Sequence, residues 1–283
     1  MWGGAVLNIY KVLPDLNRAR QLKLWHKALR SQWSVEDLDW SAPQRMRNGR
    51  TKDGLARVLT PLLMGEQSAL YSVCSLIPIL GHRSHVEAQF FLTSWALDEA
   101  RHTEVFARFF GRLDREPLSI RRFQSGYLFQ SQIASKDPGT WLAGVLVSEV
   151  AAKLFIQEML RVDLDPVLSE MCDGLLTDEA RHLAFNRVYL EDLFADLFRE
   201  GHDDASSYAD DLRARLETVL GLVPAVFGVL AADFSEIGID HEEVMADLQR
   251  EVRERLEASI ARGERVAGRE LERSSLAAAS EAR

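Results

Sequence analysis

Apolar side chains recur at intervals of three and four residues along most of the chain, and alternating β-branched runs of the kind that form strands are few. The pattern predicts an all-α fold. One or two helices and a Trp-rich connector (Trp25, Trp33, Trp40) occupy 1–43. A long apolar helix over about 53–80 is interrupted or bent by Pro61 and Pro78. After the turn GHRSH at 81–85, a second long helix runs to about 113. A link containing Pro117 leads to a segment around 121–135, and KDPG at 136–139 is a strong helix breaker. A third core helix is predicted over about 140–161 and a fourth over about 166–200. Beyond GHDD at 201–204 come three more helical stretches, the middle one apolar and carrying Pro224. From about 262 the chain is rich in Ala, Ser, Glu and Arg and is expected to be a frayed or solvated tail. The expected organisation is one domain over 1–262, with a core bundle at about 53–200, accessory helices at 1–43 and 205–262, and a tail at 263–283.

Composition narrows the partners. The 283 residues are 47% hydrophobic and 27% charged, enough for an ordinary buried core. Asp and Glu outnumber Lys and Arg by 43 to 34, a net charge of -9 that disfavours nucleic acids and anionic membranes as general partners. The longest apolar run, near 221–232, is too short to span a bilayer, and the amino terminus has no basic region ahead of an apolar stretch. Two cysteines, Cys74 and Cys172, build no disulfide framework and suit a reducing compartment. Together these features lead to the expectation of a soluble cytoplasmic protein.

One motif stands above this background. The pentapeptide DEARH occurs at Asp98–His102 and again, unchanged, at Asp178–His182. Each copy sets a Glu and a His three residues apart, on one helix face and about one turn apart, where both can grip the same metal ion. Glu-x-x-His on two helices is half of the ligand set of a carboxylate-bridged dimetal bundle; the other half is a single inward Glu on each remaining helix. Antiparallel helices must present those ligands at equal depth from the connecting turn. Glu66 lies fifteen residues before Gly81, and no other acidic residue occurs between Gly54 and Leu80. Glu149 lies at the matching depth in the third helix, whereas Glu158 sits about 14 Å away along the axis and on the opposite face. The candidate ligands are therefore Glu66, Glu99, His102, Glu149, Glu179 and His182. A single E-x-x-H on a soluble helix is usually a solvated pair. Two identical copies, each preceded at matching depth by the suitable Glu and flanked by apolar residues (Trp95, Phe106 and Phe109; Leu62, Leu70 and Val73), are a poor fit to surface decoration. Hard oxygen donors with some nitrogen suit iron or manganese, and no thiolate is present to suggest a Cys-type zinc site.

On these residues the chain, over about 54–197, resembles the ferritin-like carboxylate-bridged diiron superfamily. The long helices, with others before and after them, are more similar to the ribonucleotide reductase small subunit and its ligand-binding oxidase relatives than to compact ferritins. The resemblance implies a ferritin-like four-helix bundle with additional N- and C-terminal helices, two iron ions (a mixed Mn/Fe or Mn2 pair being the alternatives) and dioxygen as co-substrate. It implies a non-haem oxidase or oxygenase acting on a small organic substrate, electrons from a reductase, a ferredoxin or the substrate itself, and a homodimer. The alternative is a radical-generating or metal-binding redox protein without its own organic substrate. Phe106 stands where the reductases commonly carry a radical Tyr, and the last Tyr is Tyr208, far from the C-terminus, so nucleotide reduction is disfavoured. Gly144 stands where the ligand-binding oxidases carry a cross-linking Tyr, so no such cross-link is expected. Cys172 and Leu175 stand where aromatic-amine N-oxygenases place a further His.

In relatives, the acid preceding a ligand Glu often holds the outer ring nitrogen of a ligand His, which assigns that role to Asp178 and, less strongly, to Asp98. Intrahelical pairing with Arg181 or Arg101 is compatible with it. Lys153, one turn beyond Glu149, is the one catalytic candidate outside the ligand set, as a buried amine that donates a hydrogen bond or proton or pairs with a substrate carboxylate. Its alternative is to snorkel past the metals or pair with an acid, which is preferred. Asn186 and Tyr189 are weaker pocket candidates, both cysteines are expected to be buried, and His82 and His85 are expected to be exposed.

Overall fold

The computed structural model describes residues 13, 14, 19–119, 121 and 124–281, and among these every regular element is helical. In chain order the α-helices are α1 (Ala19–Arg30), α2 (Gly49–His82), α3 (Val86–Leu113), α4 (Gln124–Ile133), α5 (Pro138–Val162), α6 (Pro166–Glu200), α7 (His202–Leu220), α8 (Val223–Phe227), α9 (Ala231–Glu236) and α10 (His241–Glu281), with short 3-10 turns at Val35–Asp37 and Gly228–Leu230. Local chemistry sets the bounds of the core helices. Asn48, Asp137 and Asp165 cap α2, α5 and α6 by accepting hydrogen bonds from first-turn amides, and Pro138 and Pro166 follow the last two at the start of their helices. Asp114 and Asp163 end α3 and α5 in the left-handed conformation, which Asp tolerates better than most residues.

α2, α3, α5 and α6 form the central bundle, with α2 packed on α3, α5 on α6, and the two pairs against each other. α1 lies over α3 and α6, α7 over α5, and α10 along α6 and α5. α2 remains one helix through Pro61 and Pro78. Three segments, Gly49–His82, Pro138–Val162 and His202–Glu236, are by length and mean hydropathy long and apolar enough to cross a membrane, which corrects the estimate based on the 221–232 run. In α5 most of that apolar surface is buried inside the protein.

The C-terminal stretch also departs from expectation. It continues α10 as regular helix to Glu281, and its packed part reaches past 262: Ala267 is buried, and Gly263 crosses α6 closely. A Cβ on Gly263 would stand 2.5 Å from Phe194 Cβ and 2.9 Å from Glu191 O. Gly263→Ala is therefore expected to lower stability by about 1–3 kcal/mol through overpacking. Gly268→Ala, with nothing within 4 Å of the added carbon, should be neutral or stabilising by up to about 1 kcal/mol. Urea denaturation of the pair checks this crossing.

Candidate metal centre

The four core helices bring all six predicted side chains into one buried layer, none of them more than 5% exposed. Ligand atoms of Glu66, His102 and Glu179 lie within 4.8 Å of one another, as do those of Glu99, Glu149 and His182. His102 Nδ1 is 3.0 Å from Glu66, 3.8 Å from Glu99 Oε2 and 3.7 Å from Glu179 Oε1. His182 Nδ1 is 3.2 Å from Glu149, 3.7 Å from Glu99 Oε1 and 3.7 Å from Glu179 Oε2. Glu99 and Glu179 thus each turn one oxygen toward each imidazole, the disposition of bridging carboxylates, while Glu66 and Glu149 serve one imidazole apiece. Glu99 Oε2 and Glu179 Oε2 have no hydrogen-bond partner despite full burial. Buried carboxylate oxygens left in this way are costly unless a cation meets them.

The protonation pattern tells the same story. Burial, then the negative charges of Glu66 and Glu149 respectively, push Glu99 and Glu179 well above the ordinary carboxylate range. Burial opposes charge on the imidazoles, but the surrounding carboxylates overcome it: His102 is pushed up to about 10, and His182 is also raised well above its usual value. Protons thus supply the positive charge that the cluster demands. A metal ion held by these imidazoles and carboxylates would have to displace them. At neutral pH, below the raised His102 value, loading is therefore expected to release protons, and affinity should fall as pH is lowered. Titration calorimetry in buffers of different ionisation enthalpy counts those protons; a buffer-independent heat would contradict this assignment.

Behind the layer the two DEARH copies cross. His102 Nε2 meets Asp178 of the other copy at 3.1 Å, and His182 Nε2 meets Asp98 at 3.3 Å. Arg101 bonds Asp98 and, at 2.7 Å, Asp178; Arg181 bonds Asp178 and, at 3.0 Å, Asp98. The aspartates hold the histidines and pair with the arginines at once. Burial disfavours charge on Asp178, yet the His102 hydrogen bond and the two guanidiniums outweigh it and hold the acid far below its normal range.

Sequence reasoning missed the outer partners of this lattice. Trp33 Nε1 donates to Asp178 at 2.9 Å, Gln32 Nε2 donates to Asp98 at 3.2 Å, and Gln32 accepts from Arg101 at 2.7 Å. The available signal was Gly174, one turn before Asp178, where a Cβ would stand 2.8 Å from the Trp33 ring.

Other candidates fall elsewhere. Lys153 Nζ reaches both Glu251 oxygens of α10 at 2.5 Å, turned to an acid outside the ligand layer. Asn186 donates to Leu142 O at 2.7 Å. Tyr189 is buried and shares a 2.9 Å hydrogen bond with His85 Nδ1, so His85 is half-buried rather than exposed; His82 is exposed as expected. Cys172 is buried, but Cys74 is exposed, contrary to expectation. Gly144 abuts α4, where a Cβ would stand 3.2 Å from Ile133 Cα, leaving no room for an aromatic side chain.

A narrow pocket, partly open to solvent, reaches Glu66, Glu149 and Glu179. Its walls come from α2, α4, α5, α6 and α8 and, apart from those glutamates, are largely apolar, including Phe129 and Phe227, with Ser148 and Gln130 as polar exceptions.

Fold and donor set together define a ferritin-like helical protein with a buried carboxylate–histidine cluster able to hold metal. Among solved structures, the chain is similar to an R2-like ligand-binding oxidase with an aerobically reconstituted metal cofactor, at TM-score 0.69 and 18% identity, covering 93% of this chain and 99% of that one. A single-residue variant of such an oxidase with an anaerobically reconstituted Mn/Fe cofactor matches at TM-score 0.68 and 19% identity, covering 93% and 100%. The chain has the fold of these R2-like oxidases. No protein-family model and no curated protein matches the sequence.

Proposed function

We propose that this protein is an oxygen-activating dinuclear metal oxidase or oxygenase that acts on a small organic substrate. The observation that carries the proposal is the pair of carboxylates, Glu99 and Glu179, each facing both imidazoles with an orphaned oxygen. Glu66, Glu99, His102, Glu149, Glu179 and His182 would hold the two ions, iron or a manganese–iron pair. Bound there, such a pair supplies the electrons that reduce dioxygen.

The chain's own residues do the rest. Asp178 and Asp98 accept from the Nε2–H groups, which fixes the imidazole tautomers and leaves Nδ1 free to face the layer. The bundle keeps bulk water from the layer, while the pocket leads to three of its four glutamates. Its apolar walls suit an apolar or partly aromatic substrate. Electrons come from a separate reductase or ferredoxin, or from the substrate, and the chain acts in a soluble, cytoplasmic homodimer. That a pocket opens on the layer favours this reading over a redox protein with no substrate of its own. Oxygen-electrode measurements on metal-loaded protein across a panel of small apolar and aromatic compounds test it. Uptake that rises with one of them is expected; uptake identical with and without every compound would favour the substrate-free alternative.

A further inference from the structure

On the side of the layer away from Trp33, an aromatic column leaves the site. Trp95, fully buried on α3, donates its indole N–H to Glu99 at 2.6 Å and stacks on the His182 ring with centroids 4.4 Å apart. Phe185 meets Trp95 edge-on at 6.1 Å, lies flat on Phe91 at 4.5 Å, and contacts Tyr189 at 5.8 Å. Tyr189 in turn shares its hydroxyl with His85 Nδ1 at 2.9 Å. His182, Phe185 and Tyr189 sit at intervals of three and four on α6, so the column climbs one helix face by about 10 Å. It ends at the half-buried His85, beside the α2–α3 turn.

Packing alone accounts for the rings but not for the two polar ends. A Phe at 189 would fill the same space but would lose the hydroxyl that meets the His85 imidazole at 2.9 Å. The inner end is an indole hydrogen-bonded to a bridging carboxylate. Indole and phenol are readily oxidised by one electron, and an oxidised phenol sheds its proton to a hydrogen-bonded base; imidazole is the side chain suited to accept it near neutral pH.

Resting on the metal-site reading above, we propose that Trp95, Tyr189 and His85 form an outlet for oxidising equivalents that no substrate consumes. The oxidant would be a metal pair held by the six side chains and exposed to dioxygen. Trp95 would give up one electron to it. Tyr189 then returns one electron to Trp95 and passes its hydroxyl proton to His85 Nδ1, which for this step carries its own proton on Nε2. The balance is a restored Trp95, a neutral Tyr189 phenoxyl radical and a protonated His85. An external one-electron reductant, such as a thiol or ascorbate, restores Tyr189 as the proton returns. The oxidising equivalent thus leaves the ligand layer instead of modifying Trp95 or its neighbours irreversibly.

The test uses the full chain loaded anaerobically with Fe(II), counted for metal, mixed with dioxygen without substrate and frozen for electron paramagnetic resonance. A tyrosine radical is expected, narrowed by ring-deuterated tyrosine, lost in Tyr189→Phe and diminished in His85→Gln at unchanged metal content. Peptide mass spectrometry of Tyr189→Phe should show a several-fold rise in oxidised Trp95. With metal bound, a tyrosine signal that persists in Tyr189→Phe, or Trp95 oxidation that this variant does not raise, overturns the outlet and leaves the metal site standing. Failure to bind metal removes the oxidant itself and overturns both.

Discussion

Glu179→Gln is expected to reduce the metal retained by the anaerobically loaded chain from two ions to one or none, with Glu99→Gln behaving alike. Both carboxylates face both imidazoles, so losing either weakens both halves of the site together. Glu158→Gln is the control. Glu158 shares α5 with Glu149 but pairs with Arg161 outside the layer, and its loss should leave the metal count unchanged. The metal-free variants provide a second readout. Glu99 and Glu179 are carboxylates that burial and neighbouring negative charge drive toward the protonated form, so an amide of the same shape relieves a native-state cost. Metal-free Glu179→Gln should therefore be at least as stable as the parent in urea, a loss of binding without a loss of stability. A variant that loses both metal and fold would instead mark Glu179 as a structural residue.

The second large effect lies behind the layer. Asp178→Ala should destabilise the metal-free protein by about 3–5 kcal/mol, because it leaves Arg101 and Arg181 buried with half their carboxylate partners gone. It also strips His102 of its Nε2 partner and Trp33 of its acceptor, so metal affinity should fall by about 10- to 100-fold. The exposed Arg213–Glu257 pair calibrates the comparison: Glu257→Ala should cost no more than about 1 kcal/mol. Chemical denaturation of the metal-free proteins, followed by metal competition with a chelator, separates the two effects. Loss of affinity at unchanged stability would mean that the arginines find other partners.

The clustering of the six side chains was legible because it depends on local rules. The i, i+3 spacing within DEARH, equal depth from a turn and the scarcity of acids in α2 are all read along one helix or one helical pair. The crossing of Asp98 to His182 and Asp178 to His102 was not legible, since it depends on how two separated helices meet face to face. Trp33 is still further removed, reaching Asp178 across 145 residues from an irregular connector. Lys153 pairs with an acid, the alternative preferred from the sequence, but a four-helix frame could not name that acid. Four residues beyond Glu149 is about 40° further around the helix, enough to face α10, whose Glu251 lies outside any four-helix argument. His85 looked like a turn residue because only the folded bundle brings Tyr189, more than 100 positions later, against it. The extent of α10 was misjudged because an Ala-, Glu- and Arg-rich segment satisfies both a solvated tail and a regular helix; Gly263 packing on α6 favours the helix at its inner end.

The measurement that bears most directly on the dimetal claim is an anomalous difference map from crystals loaded anaerobically with Fe(II), recorded at the iron edge. The expected result is two peaks about 3.5–4 Å apart, one beside His102 Nδ1 and one beside His182 Nδ1, with Glu99 and Glu179 spanning them. A single peak outside the layer, or none at full iron exposure, would contradict the account.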